Sequence, residues 1–262
     1  MKKYLPDIAL YGTGNLAWKL GEALHEAGYP ISSVWGRNRS DKQALARRLN
    51  ARALDAVAEG GHPALRLILV PDQAIAEVAQ AIPADEASLV VHCAGAGELD
   101  WLKPHPRRGI FWPLQAIRKE LTMSWEQVPL LVDAAAVADL DLLLDMGQNL
   151  SQRVQSANAQ ERSTYHAAAV ITANFSNLLY DQAFSLLQPK GLDHRLLLPM
   201  LENQLHQFAS SQRPAWRQTG PAARGDASTQ QKHLDLLKEL PAHAAVYRLL
   251  SELIALQSKS SS

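Results

Sequence analysis

The chain has 262 residues, of which 47% are apolar, enough to bury a full core in one large domain or two ordinary ones. Its 26 basic and 26 acidic side chains cancel, so nothing in the charge points to nucleic acid or a membrane surface as a partner. One cysteine, Cys93, rules out an intrachain disulfide and fits a reducing compartment. With no secretory pattern in MKKYLPDIALYG and no run near the ~18 apolar residues of a membrane span, a cytoplasmic protein is expected.

Short β-type runs alternate with helical segments over the first part of the chain. Ile8–Tyr11 reads as a strand, and an amphipathic helix follows from Asn15 to Ala27, stopped by Gly28. Ile31–Trp35 is the next strand, then a helix near Asp41–Leu49. Leu65–Val70 and Leu89–His92 are nearly unbroken apolar runs, as strands covered on both faces should be, with a short helix at Ile75–Ile82 between them. Gly109–Phe111, Leu130–Val132 and an edge strand at Arg153–Gln155 follow, with a helix over Ala136–Leu150. The alternation predicts an α/β domain with a doubly wound, mainly parallel sheet over 1–156.

From 157 to 262 the pattern is all-α. Asn158–Leu187 contains no Gly or Pro and reads as one helix of roughly 45 Å. Pro189 and Gly191 end it. Helices at Asp193–Phe208, Ser228–Leu237 and Ala242–Leu256 follow, and the tail SKSSS is expected to fray. The polar stretch SSQRPAWRQTGPAARGDAST separates the first two, and loops of that length are usually functional or disordered.

The first turn, Gly12-Thr13-Gly14-Asn15-Leu16-Ala17, is G-x-G-x-x-A between a strand and a helix. The first glycine permits the tight turn, the second lets backbone approach a pyrophosphate, and the small sixth residue lets the helix pack close. The helix N-terminus offers free N–H groups to phosphate. An NAD site usually carries an acid about 20 residues on. Here the second strand ends in Gly36-Arg37-Asn38-Arg39-Ser40, with no acid before Asp41. Guanidinium groups suit a 2′-phosphate, so the expected cofactor is NADP; the alternative is that Arg37 and Arg39 are solvated surface charges.

Ligands of such sheets lie beyond the carboxyl ends of the strands. Val70-Pro71-Asp72 should line the adenosine and ribose side. His92-Cys93-Ala94-Gly95 should lie near the nicotinamide, with His92 either a polar wall of the site or a hydrogen-bonded strand-end histidine. Adjacent strand residues point to opposite faces, so His92 and Cys93 make no dyad. Phe111-Trp112-Pro113-Leu114-Gln115 ends the next strand.

On a regular long helix, His166 and Asn177 lie about 20° apart and His166 and Asn174 about 80° apart. Buried amides and imidazoles need partners, which a substrate could supply; a polar seam against the sheet domain or a second subunit would do so equally. In Thr219-Gly220-Pro221-Ala222-Ala223-Arg224-Gly225-Asp226, either Asp226 or Ser228 could cap the next helix, and Arg224 could bind an anionic substrate group or pair with Asp226. The nine histidines show no metal-ligand spacing, so no metal is expected, and no nucleophile elbow or phosphate-binding lysine motif occurs.

Together the Gly12–Ala17 turn, LVVHCAGAG, GIFWPLQAI, QERSTYHAAAVITANFSNLLYDQA and QTGPAARGDASTQQKHLDLL resemble a family of Rossmann-like oxidoreductases with a C-terminal domain of unknown function, the domain of unknown function 2520 family. Many of its members are loosely labelled NADP- or coenzyme F420-dependent. Broader relatives look like the 6-phosphogluconate, ketopantoate and pyrroline-5-carboxylate reductase group, in which a long helix of the second domain closes the nicotinamide site. The resemblance implies His166, Asn174, Asn177, Thr219 and Arg224 as site residues. Two departures stand out. Asn158–Leu187 lacks the catalytic lysine of several hydroxyacid members, and His92-Cys93-Ala94-Gly95 replaces the usual His-Thr-Ser-Gly.

The expectation is therefore an NADP-dependent oxidoreductase acting on a small carbonyl, imine or alcohol and forming a homodimer through its helical domain. His166 would be the acid/base, since a histidine pKa near neutrality suits proton transfer. Asn174 would orient the substrate and Arg224 clamp an anion. The alternative is a non-catalytic NADP(H) sensor, which the missing lysine favours.

Overall fold

The structure, a computed structural model, describes residues 5–210 and 219–260. Within the expected polar loop, 211–218 lie outside the described residues, as do 261–262 of the tail. The chain divides into two compact units, Met1–Asn174 and Phe175–Ser262.

The first unit is an eight-stranded sheet with helices on both faces. In chain order it contains β1 (Ile8–Tyr11), α1 (Asn15–Glu26), β2 (Ile31–Trp35), α2 (Arg39–Arg48), β3 (Arg52–Leu54), β4 (Leu65–Ile68), α3 (Ile75–Ala81), β5 (Leu89–His92), β6 (Arg108–Pro113), β7 (Leu130–Ala134), α4 (Val137–Gln148), β8 (Val154–Ser156) and α5 (Ala159–Ala169). The sheet order is β3-β2-β1-β4-β5-β6-β7-β8. The strands from β3 to β6 pair in parallel, β7 runs antiparallel to β6, and β8 is parallel to β7. The strand order therefore reverses between β1 and β4, where open sheets of this kind leave a crevice at their carboxyl ends.

Strand alternation builds apolar clusters on both faces of the sheet, with a smaller one of Ile110, Trp112, Leu131 and Ala157 beside β6 and β7. Ile8 and Leu10 of β1, Leu65 and Leu67 of β4, and Leu89 and Val91 of β5 pack with Leu20 and Leu24 of α1, Leu45 of α2 and Leu143 of α4. Their neighbours Ala9, Tyr11, Ile68 and Val90 point the other way, onto Ile75, Val78 and Ala79 of α3. Burying one such Leu or Ile side chain stabilises by about 1.5–3 kcal/mol. Arg66 on β4 is also fully buried, against Asp85 and the Gly61 and Pro83 carbonyls, the latter two at 2.8 Å. Burial by itself would raise the Asp85 carboxyl, but hydrogen bonds from Ser88 and His62 and the Arg66 charge hold it well below the usual carboxylate range.

The helix expected over 158–187 is interrupted. Asn158 and Glu161 form a reciprocal capping box that starts α5. The backbone widens into a π segment at Val170–Phe175 before α6 (Ser176–Leu187). Angles counted at 100° per residue do not carry across that segment, so the predicted alignment of His166 with Asn174 and Asn177 does not hold as drawn.

The second unit contains α6, α7 (Leu198–Ser210), α8 (Pro221–Arg224), α9 (Ala227–Leu236) and α10 (Pro241–Ser260). The segment expected to be helical from Asp193 opens as a 3-10 turn, His194–Leu197, capped by Asp193. The tail expected to fray is helical through Ser260. Ser185 of α6 meets His243 of α10 at 2.8 Å, and His233 of α9 meets Tyr247 of α10 at 2.8 Å. Leu237 and Ala244 are the buried apolar side chains among its described residues, while Leu178, Tyr180, Leu205, Phe208, Leu253 and Leu256 stand exposed.

Candidate functional site

The glycine turn has the geometry its sequence implies. Gly12 has φ +143°, and a Cβ there would lie 2.2 Å from the Leu69 carbonyl oxygen, so only glycine fits. Its N–H donates to Trp35 O at 2.8 Å, tying the turn to the end of β2. Gly14 begins α1 and is exposed, with nothing within 4 Å of the position its Cβ would take. The first turn of α1 has neither a side-chain cap nor an acid. Open space thus lies above uncapped N–H groups at a positive helix end, which fits a diphosphate. Thr13 and Leu16 are partly buried beside it, and Asn15 is exposed.

Two residues past Trp35 comes the basic segment. Arg37, Asn38, Arg39 and Ser40 are all exposed, and neither arginine has an ion-pair partner among the described residues. Asn38 has a second task. Its Oδ1 caps α2, accepting from Ser40 N at 3.0 Å, Asp41 N at 3.1 Å and Ser40 Oγ at 2.7 Å. That cap fixes the backbone from which both guanidinium groups project. On the other side of β1, Val70 is partly buried and Pro71 and Asp72 are exposed after β4.

His92 is fully buried at the end of β5. Its Nδ1 accepts from Ala94 N at 3.1 Å, so Nε2 carries the proton and donates to Glu98 O at 3.2 Å. Burial, aided by the nearby Arg162 charge and opposed by the Glu98 bond, pushes its pKa down to about 4. Both ring nitrogens are thus engaged, and the imidazole braces the turn after β5. Cys93 is buried and its thiol is pushed up by burial, so it is no nucleophile.

His166 is exposed on α5, its imidazole centroid 5.7 Å from the Trp112 indole at 53°. Trp112 lies on β6, the next strand after β5, and Gly95 gives it room: a Cβ at Gly95 would be 2.4 Å from the indole. The carboxyl end of β6 therefore carries an aromatic wall with a titratable group on it. Trp112 was legible in the sequence as a strand-end residue, but nothing there paired it with His166. Asn174 is exposed in the π segment of the same unit.

Asn177, Thr219 and Arg224 belong to the second unit and are exposed. Asp226, not Ser228, caps α9, accepting from Thr229 N at 3.0 Å and Thr229 Oγ1 at 2.7 Å. Arg224 makes no ion-pair contact among the described residues, although its charge, after the Thr229 hydrogen bonds, helps to hold the Asp226 carboxyl below the usual carboxylate range. Among those residues no cluster of His, Cys, Asp or Glu able to hold a metal comes together, and no helix is long and apolar enough to cross a membrane.

Residues 6–117 match the family model described as a Rossmann-like domain, and residues 128–254 match the domain of unknown function DUF2520. A "putative NADP oxidoreductase" from Bacteroides fragilis is 31% identical with a TM-score of 0.87, over 96% of this chain and 98% of that one. The chain belongs to the Rossmann-like DUF2520 family. More distant members of the same fold include an imine reductase from Pseudomonas sp. (16% identity, TM-score 0.72, 98% of this chain and 95% of that one). A reductive aminase from Aspergillus terreus in complex with NADPH and ethyl levulinate is another (12%, 0.73, 98% and 95%). Among curated proteins, none matches the chain.

Proposed function

We propose that this DUF2520 protein is an NADP-dependent oxidoreductase acting on a small carbonyl, imine or alcohol. The observation that carries the reading is the pairing of an exposed histidine with a strand-end tryptophan, in the unit that also bears the glycine turn and the free arginines. The 31% identical relative described as an NADP oxidoreductase, and the fold shared with imine reductases and a reductive aminase, support it.

Backbone N–H groups of the Gly12–Leu16 turn would hold the diphosphate, and Arg37, Arg39 and Ser40 the 2′-phosphate. Val70, Pro71 and Asp72 would border the adenosine side. When bound, the cofactor's nicotinamide supplies or accepts the hydride. His166 would give or take the substrate proton at one imidazole nitrogen, with Trp112 excluding water from one side of the ring. Asn174 would orient the substrate. Asn177 and Thr219 are further candidates for its contacts, and Arg224 would bind an anionic group.

The bare apolar faces of the second unit support a homodimer built through the helical region. Leu178, Tyr180, Leu205, Leu253 and Leu256 are large apolar side chains that stand exposed there, the kind of surface a second copy can cover. A second copy is the partner favoured because closed two-fold pairs are the commonest assembly and the chain has no net charge to repel itself. Light scattering should give twice the mass of one chain, and Leu253→Glu should shift it toward one. The neutral composition and buried thiol fit a cytoplasmic site of action.

The experiment is NADPH oxidation against a panel of small ketones, aldehydes and cyclic imines. Turnover with one class supports the reading. Tight NADPH binding without turnover across the panel contradicts it in favour of a sensor.

A further inference from the structure

Arg162 precedes His166 by one helical turn, on the same face of α5. Its side chain is 1% exposed, yet its guanidinium reaches three separate segments. One terminal nitrogen donates to Asp133 Oδ2 on β7 at 2.5 Å and to the Ala157 carbonyl at 2.7 Å. The other donates to the Gly97 carbonyl at 3.2 Å, in the turn that follows β5. The fork thus joins α5 to the residue before its N-cap, to an inner strand and to the turn that His92 braces.

We propose that Arg162 and Asp133 are positioning residues that hold His166 against Trp112. Three acceptors on three segments, met by donors whose directions are fixed in one plane, determine both where the first turns of α5 lie and how the helix is rotated about its axis. Rotation matters because His166 follows Arg162 on that face: a turn of the helix would carry the imidazole off the indole. A generic ion pair does not need this geometry. A lysine would keep the charge but could not aim at a carboxylate and two carbonyls in fixed directions. His92, held neutral, adds no competing charge beside the guanidinium.

The functional consequence rests on the proton-transfer role of His166; the positioning itself does not. The test therefore reads position directly, by NMR of isotope-labelled histidine in the full chain. In the wild type the indole ring current should displace the His166 imidazole C–H signals, assigned with His166→Ala, and Trp112→Phe should reduce that displacement. Asp133→Asn, which keeps the shape and removes the charge, and Arg162→Lys, which keeps the charge and removes the fork, should both move the signals toward the position of a histidine with no aromatic ring beside it. NADPH affinity should stay unchanged while kcat falls about tenfold to a hundredfold, as a misplaced catalytic group requires. Wild-type signals in both folded variants would overturn the proposal. Arg162→Gln leaves Asp133 without its cation and is the harsher probe; if it unfolds, the two conservative variants still decide. Should His166→Ala retain turnover, the acid/base role falls, and the ring-current result still stands for or against the fork.

Discussion

The Trp112 indole and the His166 imidazole stand 5.7 Å apart at 53°, joining the end of a central strand to a helix 54 positions along the chain. The indole is buried and the imidazole is exposed. His166→Ala should lower kcat by about 10²–10⁴-fold, the span of a lost acid/base group, while NADPH binds as before. Trp112→Phe should cost less, since it keeps an aromatic wall. Steady-state kinetics beside cofactor titration check both, and undiminished turnover in His166→Ala removes the role.

The glycine turn gives a second prediction. A methyl at Gly12 would lie 2.2 Å from backbone, which side-chain repacking cannot relieve. Gly12→Ala should destabilise by about 1–3 kcal/mol, as overpacking does, and weaken NADPH binding sharply. Gly14→Ala differs because its Cβ meets only open space. Its melting temperature should stay near that of the wild type, while the methyl, standing where the diphosphate would approach, weakens binding. Calorimetric melts with and without NADPH separate the two.

A third prediction concerns acid. His92 is buried and neutral, with a pKa lowered from 6.5 to about 4. The unfolded chain takes up that proton first, so the stability it contributes is complete above pH 6.5 and declines as pH falls from there toward about 4. Asp85 works in a lower window: its carboxyl is depressed, so its contribution is present above the ordinary carboxylate pKa and is lost as pH falls below it. His92→Gln should flatten the melting temperature against pH between 6.5 and 4 and leave the steeper acid fall. An unchanged slope there contradicts the assignment.

The inner strands were legible because parallel strands covered on both faces are written as apolar runs. Ile8–Tyr11, Ile31–Trp35 and Leu89–His92 come out with the bounds the sequence suggests. β3 was not, since Arg52-Ala53-Leu54 is three residues at an edge and has no period to read. The π segment was hidden for a different reason: Val170-Ile-Thr-Ala-Asn-Phe175 contains no breaker, and its widening is a matter of backbone bonding. Arg162 is the instructive miss. In sequence it is one charge on a polar helix; its burial depends on Asp133, 29 positions away, and on a carbonyl 65 positions away. Such partners are set by tertiary packing, which no local pattern encodes.

NADP binding is assigned to the glycine turn and to Arg37 and Arg39, and titration of the pure protein with NADPH and NADH tests that assignment most directly. NADPH should bind more tightly than NADH, and Arg37→Ala should weaken NADPH markedly while leaving NADH almost unaffected. Equal losses for the two cofactors, or no binding of NADPH or NADP by the wild type, would contradict it.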